Sequence, residues 1–223
     1  MFFEFKFWKY LFHQGDLVDS LENATMRDFQ KRVWMVAIFA VILFALRDIW
    51  GMYTEDLTYL FVKGFDDTFI IARIVSLIGA SFWAVLYFAF FFFGISYLLH
   101  KILTVDLAKV AVIQLFAVSI LLMEKAFNFV MYAIVGYTTD YSLLSFGPLA
   151  AVLLDQSYFV ALFNHFTIAG ALIIALQYQF LKSFTMLSHR KLLIILLAIQ
   201  VILAALSAGL EVLPITKWIE EGI

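Results

Sequence analysis

Glu124 stands inside the apolar run 110–135, and Asn128 follows one helical turn later on the same face. If that run crosses a bilayer, an ionisable side chain there costs ~2.5–3.5 kcal/mol on insertion scales, which marks it as a candidate site. Asn164 and His165 lie six or seven residues into the later run 158–181. At a rise of 1.5 Å per residue, Glu124 is ~16 Å and Asn164 and His165 are ~10 Å below the ends of their runs, so Asn128 and His165 come level. Glu124, Asn128, Asn164 and His165 are therefore expected as an intramembrane polar cluster, with Arg47 at the end of the first run as counter-charge. Such a cluster has two chemical readings. One is a site that takes up a proton or a cation; the other is an interhelical hydrogen-bond network that fixes packing. Lys125 points ~100° away from its neighbour Glu124 and needs a different partner.

Other chemistries lack their residues. The chain has no cysteine, which removes disulfides, thiolate catalysis, thiolate-held metals and cysteine lipidation. His-Glu-x-x-His, Gly-x-Ser-x-Gly and the phosphate-cradling Gly-x-x-x-x-Gly-Lys-Ser/Thr are all missing. His13, His100 and His189 have no ligand spacing and fall at the ends of apolar runs. No catalytic residue, no metal site and no cofactor is expected. Net charge is −2 and the basic residues are scattered, so nucleic acid is not an expected partner.

Composition says what positions these residues. Of 223 residues, 65% are hydrophobic and 14% charged, and mean hydropathy is +0.98. Soluble domains run nearer 45–50% apolar and ~25% charged. The expected fold is all-α, a polytopic transmembrane helical bundle of about five spans, near 33–53, 74–99, 110–135, 158–181 and 192–213. Residues 1–32 form a cytoplasmic segment whose start is amphipathic: Lys6, Lys9 and His13 oppose Phe5, Phe7, Trp8, Leu11 and Phe12, as in an interfacial helix. Residues 214–223 form a tail. Thr25-Met26-Arg27-Asp28 has capping-box form before the first span, and Asp66-Asp67-Thr68 offers a cap for the second. Trp34, Trp50 and Tyr53 sit where interfacial aromatics belong. The aromatic run 90–93 reads as lipid-facing bulk and packing. Ala204, Ala205, Ala208 and Gly209 give the fifth span a small-residue stripe for close helix packing. Each of the connections 50–73 and 137–156 has room for a short interfacial helix.

Basic residues in the connections set an expected orientation. Ten fall on the side of the N-terminus and four on the other, which puts the N-terminus in the cytoplasm and the C-terminus outside a cell membrane.

The layout resembles the bacterial Yip1-like family of five-helix membrane proteins. The resemblance is carried by the amphipathic N-terminal segment, the longer connection after the first span, the tight junction around Leu98-Leu99-His100-Lys101-Ile102, the loop 136–157, which is nearly free of charge, and the junction from Leu181-Lys182-Ser183-Phe184 to Lys191. The Asp-Leu-Tyr-Gly-Pro motif of eukaryotic members is missing, and no functional residue is carried over. The resemblance implies a non-enzymatic accessory or scaffold protein acting through membrane protein partners, in some bacterial relatives beside an ABC exporter. A small proton- or cation-coupled transporter or channel is the alternative. In either case the lipid bilayer is the solvent.

Overall fold

The computed structural model describes residues 2–3, 25–26, 28–52, 54, 57–136, 138–139 and 141–213. Most of the expected N-terminal helix, Tyr53 and the tail 214–223 lie outside them. Phe2–Phe3 and Thr25–Met26 make a two-residue parallel pairing; among the described residues the other named elements are helical, with one isolated antiparallel bridge between Ser145 and Thr167. The chain forms two compact units, residues 1–138 with 179–186, and residues 139–178 with 187–223.

The first unit begins with α1, Phe29–Trp50. Its uninterrupted apolar stretch satisfies backbone groups internally, as a bilayer requires. The expected capping box does not start it: Asp28 is the N-cap in a left-handed conformation with no side-chain cap bond. At the other end Gly51 takes φ 110°, a conformation open to glycine. Its N–H and that of Met52 return to the Asp48 and Arg47 carbonyls. The short helix α2, Thr58–Val62, lies in the following connection.

Next comes α3, Asp66–Ala89, with Asp66 and Asp67 in its first turn, where the helix dipole favours negative charge. It runs through a π-helical turn, Phe90–Gly94, into α4, Ile95–Leu103. The whole rod spans 38 residues, or ~57 Å, well beyond the ~30 Å hydrocarbon thickness. The π turn has a specific partner: the buried Gln114 amide donates to the Phe91 carbonyl at 2.7 Å. The aromatic run is split by it. Phe90 and Phe93 are exposed, whereas Phe92 is buried.

A tight corner follows. Thr104 is left-handed at φ 53°, His100 Nδ1 lies 2.7 Å from the Val105 carbonyl, and Asp106 accepts from the Ala108 N–H to cap α5, Leu107–Val135. Three rods then share one core: Ala40, Leu43 and Phe44 from α1, Ala84, Phe88 and Phe92 from α3 and its π turn, and Leu115, Val118 and Leu122 from α5.

The second unit holds α6, Gly147–Leu153, α7, Ser157–Asn164, most of α8, Ile168–Leu181, and α9, His189–Val212. α7 packs against both α6 and α9. Among the described residues, four helices are long and apolar enough to cross a membrane: α1, the α3–α4 rod, α5 and α9. The expected fourth span differs. It is two helices, α7 and the longer, apolar α8, parted at 165–167.

Candidate functional site

Polar side chains gather at one place in each unit. In the first, the C-terminal end of α1 carries Arg47 and Asp48, which retain only 9% and 6% of their surface. The last carbonyls of a helix have no partner within it, and Arg73 of α3 supplies one. Its guanidinium donates to the Asp48 carbonyl at 2.8 Å, to the Ile49 carbonyl at 3.0 Å, and to Thr54 Oγ1. Thr54 in turn donates to the Gly51 carbonyl at 3.0 Å. Ser76 donates to the Asp48 carboxylate at 2.5 Å. Thus one arginine and two hydroxyls fasten α1 to α3.

Beside this fastening lies a cavity of about 410 Å³ lined by Phe44, Arg47, Asp48, Ser76, Trp83 and Lys125, among others. The Arg47 guanidinium is 5.4 Å from the Phe44 ring centre. Lys125 Nζ lies 5.9 Å from the same ring and 5.0 Å from that of Tyr87. These are cation–π distances, and they provide the partner that Lys125 needs. Glu124 and Arg47 both act electrostatically on Tyr87. Glu124 and Asn128 are half-buried.

In the second unit the break between α7 and α8 is held by a small polar network. Asn164 Oδ1 accepts from the Ser142 N–H at 2.8 Å and from Ser145 Oγ at 2.9 Å. Ser145 Oγ also accepts from the Gly147 N–H. Backbone groups freed by the break are met by the strand-like loop before α6: Phe146 N–H reaches the Phe166 carbonyl at 3.2 Å and Ile168 N–H the Leu144 carbonyl at 3.0 Å. Thr167 Oγ1 accepts from the Gly170 N–H at 3.0 Å and so caps α8. The fit is close, since a Cβ on Gly147 would stand 2.6 Å from Asn164 Oδ1. His165 Nε2 approaches Glu211 of α9 to 3.1 Å without the alignment of a hydrogen bond.

Of the five residues expected to cluster, Arg47, Glu124 and Asn128 therefore belong to the first unit and Asn164 and His165 to the second. Arg47 lines the cavity with Lys125; Asn164 and His165 meet Ser142, Ser145 and Glu211. In the small-residue stripe, Ala204 and Ala208 are buried on the helix that packs on α7, and the Ala205 carbonyl accepts from the Tyr158 hydroxyl at 3.4 Å. Gly209 faces open space, for a Cβ there would meet nothing within 4 Å. Among the described residues, no three His, Asp or Glu side chains converge as a metal site needs.

Sequence reasoning missed Arg73, Ser76, Gln114, Ser145, Thr167 and Glu211. A signal existed for two of them, because Thr167 stands three residues before Gly170 as an N-cap would, and Arg73 recurs within a turn of the expected start of the second span.

The chain is a multi-pass α-helical membrane protein by the length and apolarity of its helices. Comparison with family models, curated proteins and solved structures finds no match to it.

Proposed function

We propose that this chain is a non-enzymatic accessory or scaffold protein of the cell membrane that acts through a membrane protein partner. The Yip1-like layout points to an ABC exporter as the setting. One observation carries the reading: several polar side chains in and beside the apolar segments hold irregular backbone. Gln114 bonds the π turn, Asn164 and Ser145 bond the break before α8, and Arg73 and Thr54 close α1. A transport site instead needs polar groups aimed at a solute. Orientation belongs to the same proposal, with the N-terminus cytoplasmic and the C-terminus outside, on the ten-to-four bias of basic residues in the connections.

Purification in mild detergent from native membranes, followed by mass spectrometry, tests it. A stoichiometric membrane protein partner is the expected result. A lone protein that moves protons or cations in liposomes contradicts it. That second reading, a small proton- or cation-coupled transporter or channel, is favoured by the broken segment itself, because interrupted helices place backbone polar groups at membrane depth.

A further inference from the structure

His165 and Glu211 meet where two helices end. His165 is the C-cap of α7, and Glu211 stands in the last turn of α9. The closing carbonyls of a helix carry partial negative charge, so both ends favour a cation beside them. The side chain placed there is a histidine, which is a cation only when protonated.

His165 Nε2 is buried and has no hydrogen bond, although Glu211 Oε1 lies 3.1 Å away. A neutral ring turns to the carboxylate either a bare lone pair or one misaligned N–H. An imidazolium brings a full positive charge to the same place and makes a charge-assisted hydrogen bond available. Glu211 is 49% exposed, so its carboxylate has room to turn toward that proton while it stays solvated. Carboxylates in general remain ionised at the pH values at which histidine takes up its proton.

Among the described residues, few other titratable groups surround the pair. α9 carries no charged side chain between Lys191 and Glu211, and α6 carries none. The one ionisable residue of α7 is Tyr158, whose hydroxyl donates to the Ala205 carbonyl at 3.4 Å. Tyr141 lies in the loop before α6, Asp155 in the connection before α7, and Tyr178 in the last turns of α8. Glu211 is thus the charged group within reach of Nε2.

We propose that His165 and Glu211 form a pH-sensitive latch between α7 and α9. Proton uptake by His165 draws the Glu211 carboxylate to it and fixes α7, with α6 packed on it, to α9. Loss of the proton leaves α7 held by apolar packing and the Tyr158 bond. Asn164, one residue earlier, holds Ser142 and Ser145, so the loop before α6 follows the same helix end. The added stability is present below histidine's ordinary range, about pH 6.5, and is lost as the pH rises through it. The latch does not depend on whether the chain serves as a scaffold or a transporter.

Thermal melting of the full-length protein in detergent, on either side of that range at about pH 5.5 and about pH 7.5, tests it. Glu211→Gln keeps the shape of the side chain and removes its charge. It is expected to lower the midpoint by about 2–4 °C at the lower pH, the shift that one ion pair gives a chain of this size, and by much less at the higher. In a His165→Gln background the same change should have little effect at either pH. In a His165→Lys background, where the cation is permanent, its effect should be alike at both. An equal effect of Glu211→Gln at the two pH values in the otherwise native chain overturns the proposal. So does a pH-dependent effect that survives in His165→Gln or in His165→Lys, which would place the titrating group elsewhere; either background suffices if the other fails to fold.

Discussion

Asn164 holds more of the second unit than its size suggests. Its amide oxygen takes two donors, from Ser142 and Ser145; if it is removed the Ser142 N–H loses this acceptor, whereas Ser145 Oγ keeps the Ser142 carbonyl at 2.8 Å. Asn164→Ala should therefore destabilise the protein by about 1–3 kcal/mol, as one abandoned donor would, and thermal melting in detergent reads this directly. Gly147→Ala should act in the same direction, because the added methyl would meet Asn164 Oδ1 at 2.6 Å. Glu211→Gln provides the contrast. Because the His165–Glu211 approach lacks the alignment of a hydrogen bond, its loss should cost less than the loss of the Asn164 acceptor, and a melting shift at neutral pH as large as that of Asn164→Ala would contradict this account. The residue types at these places were legible in the sequence; their partners were not. Depth along a helix can be computed from a 1.5 Å rise, but which helix faces which cannot. Hence Asn164 and His165 were expected beside Glu124, while the side chains that meet them, Ser145 and Glu211, come from a loop and a helix end that no periodicity marks.

Helix ends carry the clearest consequences at the scale of elements. α1 stops at Gly51, and Arg73 gathers the carbonyls of Asp48 and Ile49. Arg73→Ala removes both bonds and the contact with Thr54, and should lower stability by about 1–3 kcal/mol. Arg73→Lys should recover only part of this, since an ammonium lacks the planar fork that spans several acceptors; full recovery would show that charge alone matters. Long apolar runs were readable because hydrophobic content over some twenty residues is a strong signal. The break at 165–167 was not, because its composition passes for the interior of a span. Phe166 is apolar, and Asn164, His165 and Thr167 read as polar guests in a continuous helix. Only the distant loop at 144–146, which receives the freed backbone groups, makes the interruption tolerable in lipid. The π turn at Phe90–Gly94 escaped notice for a similar reason: the donor to its Phe91 carbonyl, the Gln114 side-chain amide, lies in another helix. Gln114→Leu should accordingly lower the melting temperature more than Gln200→Leu, a change at a half-buried position.

At the scale of the whole molecule, the number of crossings determines everything that depends on sidedness. Among the described residues four helices are long enough to span alone, and an even number would return both termini to one side. A fifth crossing by α7 and α8 together separates them, and the bias of ten basic residues to four agrees with it. The absence of native cysteine makes this measurable without background. Gln14→Cys and Glu220→Cys, made singly, can be treated in intact cells with a membrane-impermeant maleimide. The account predicts labelling of the cysteine at 220 from outside, and labelling of the one at 14 only after permeabilisation. Both protected until permeabilisation, or both labelled from outside, would contradict it, since the broken helix would then turn back without crossing.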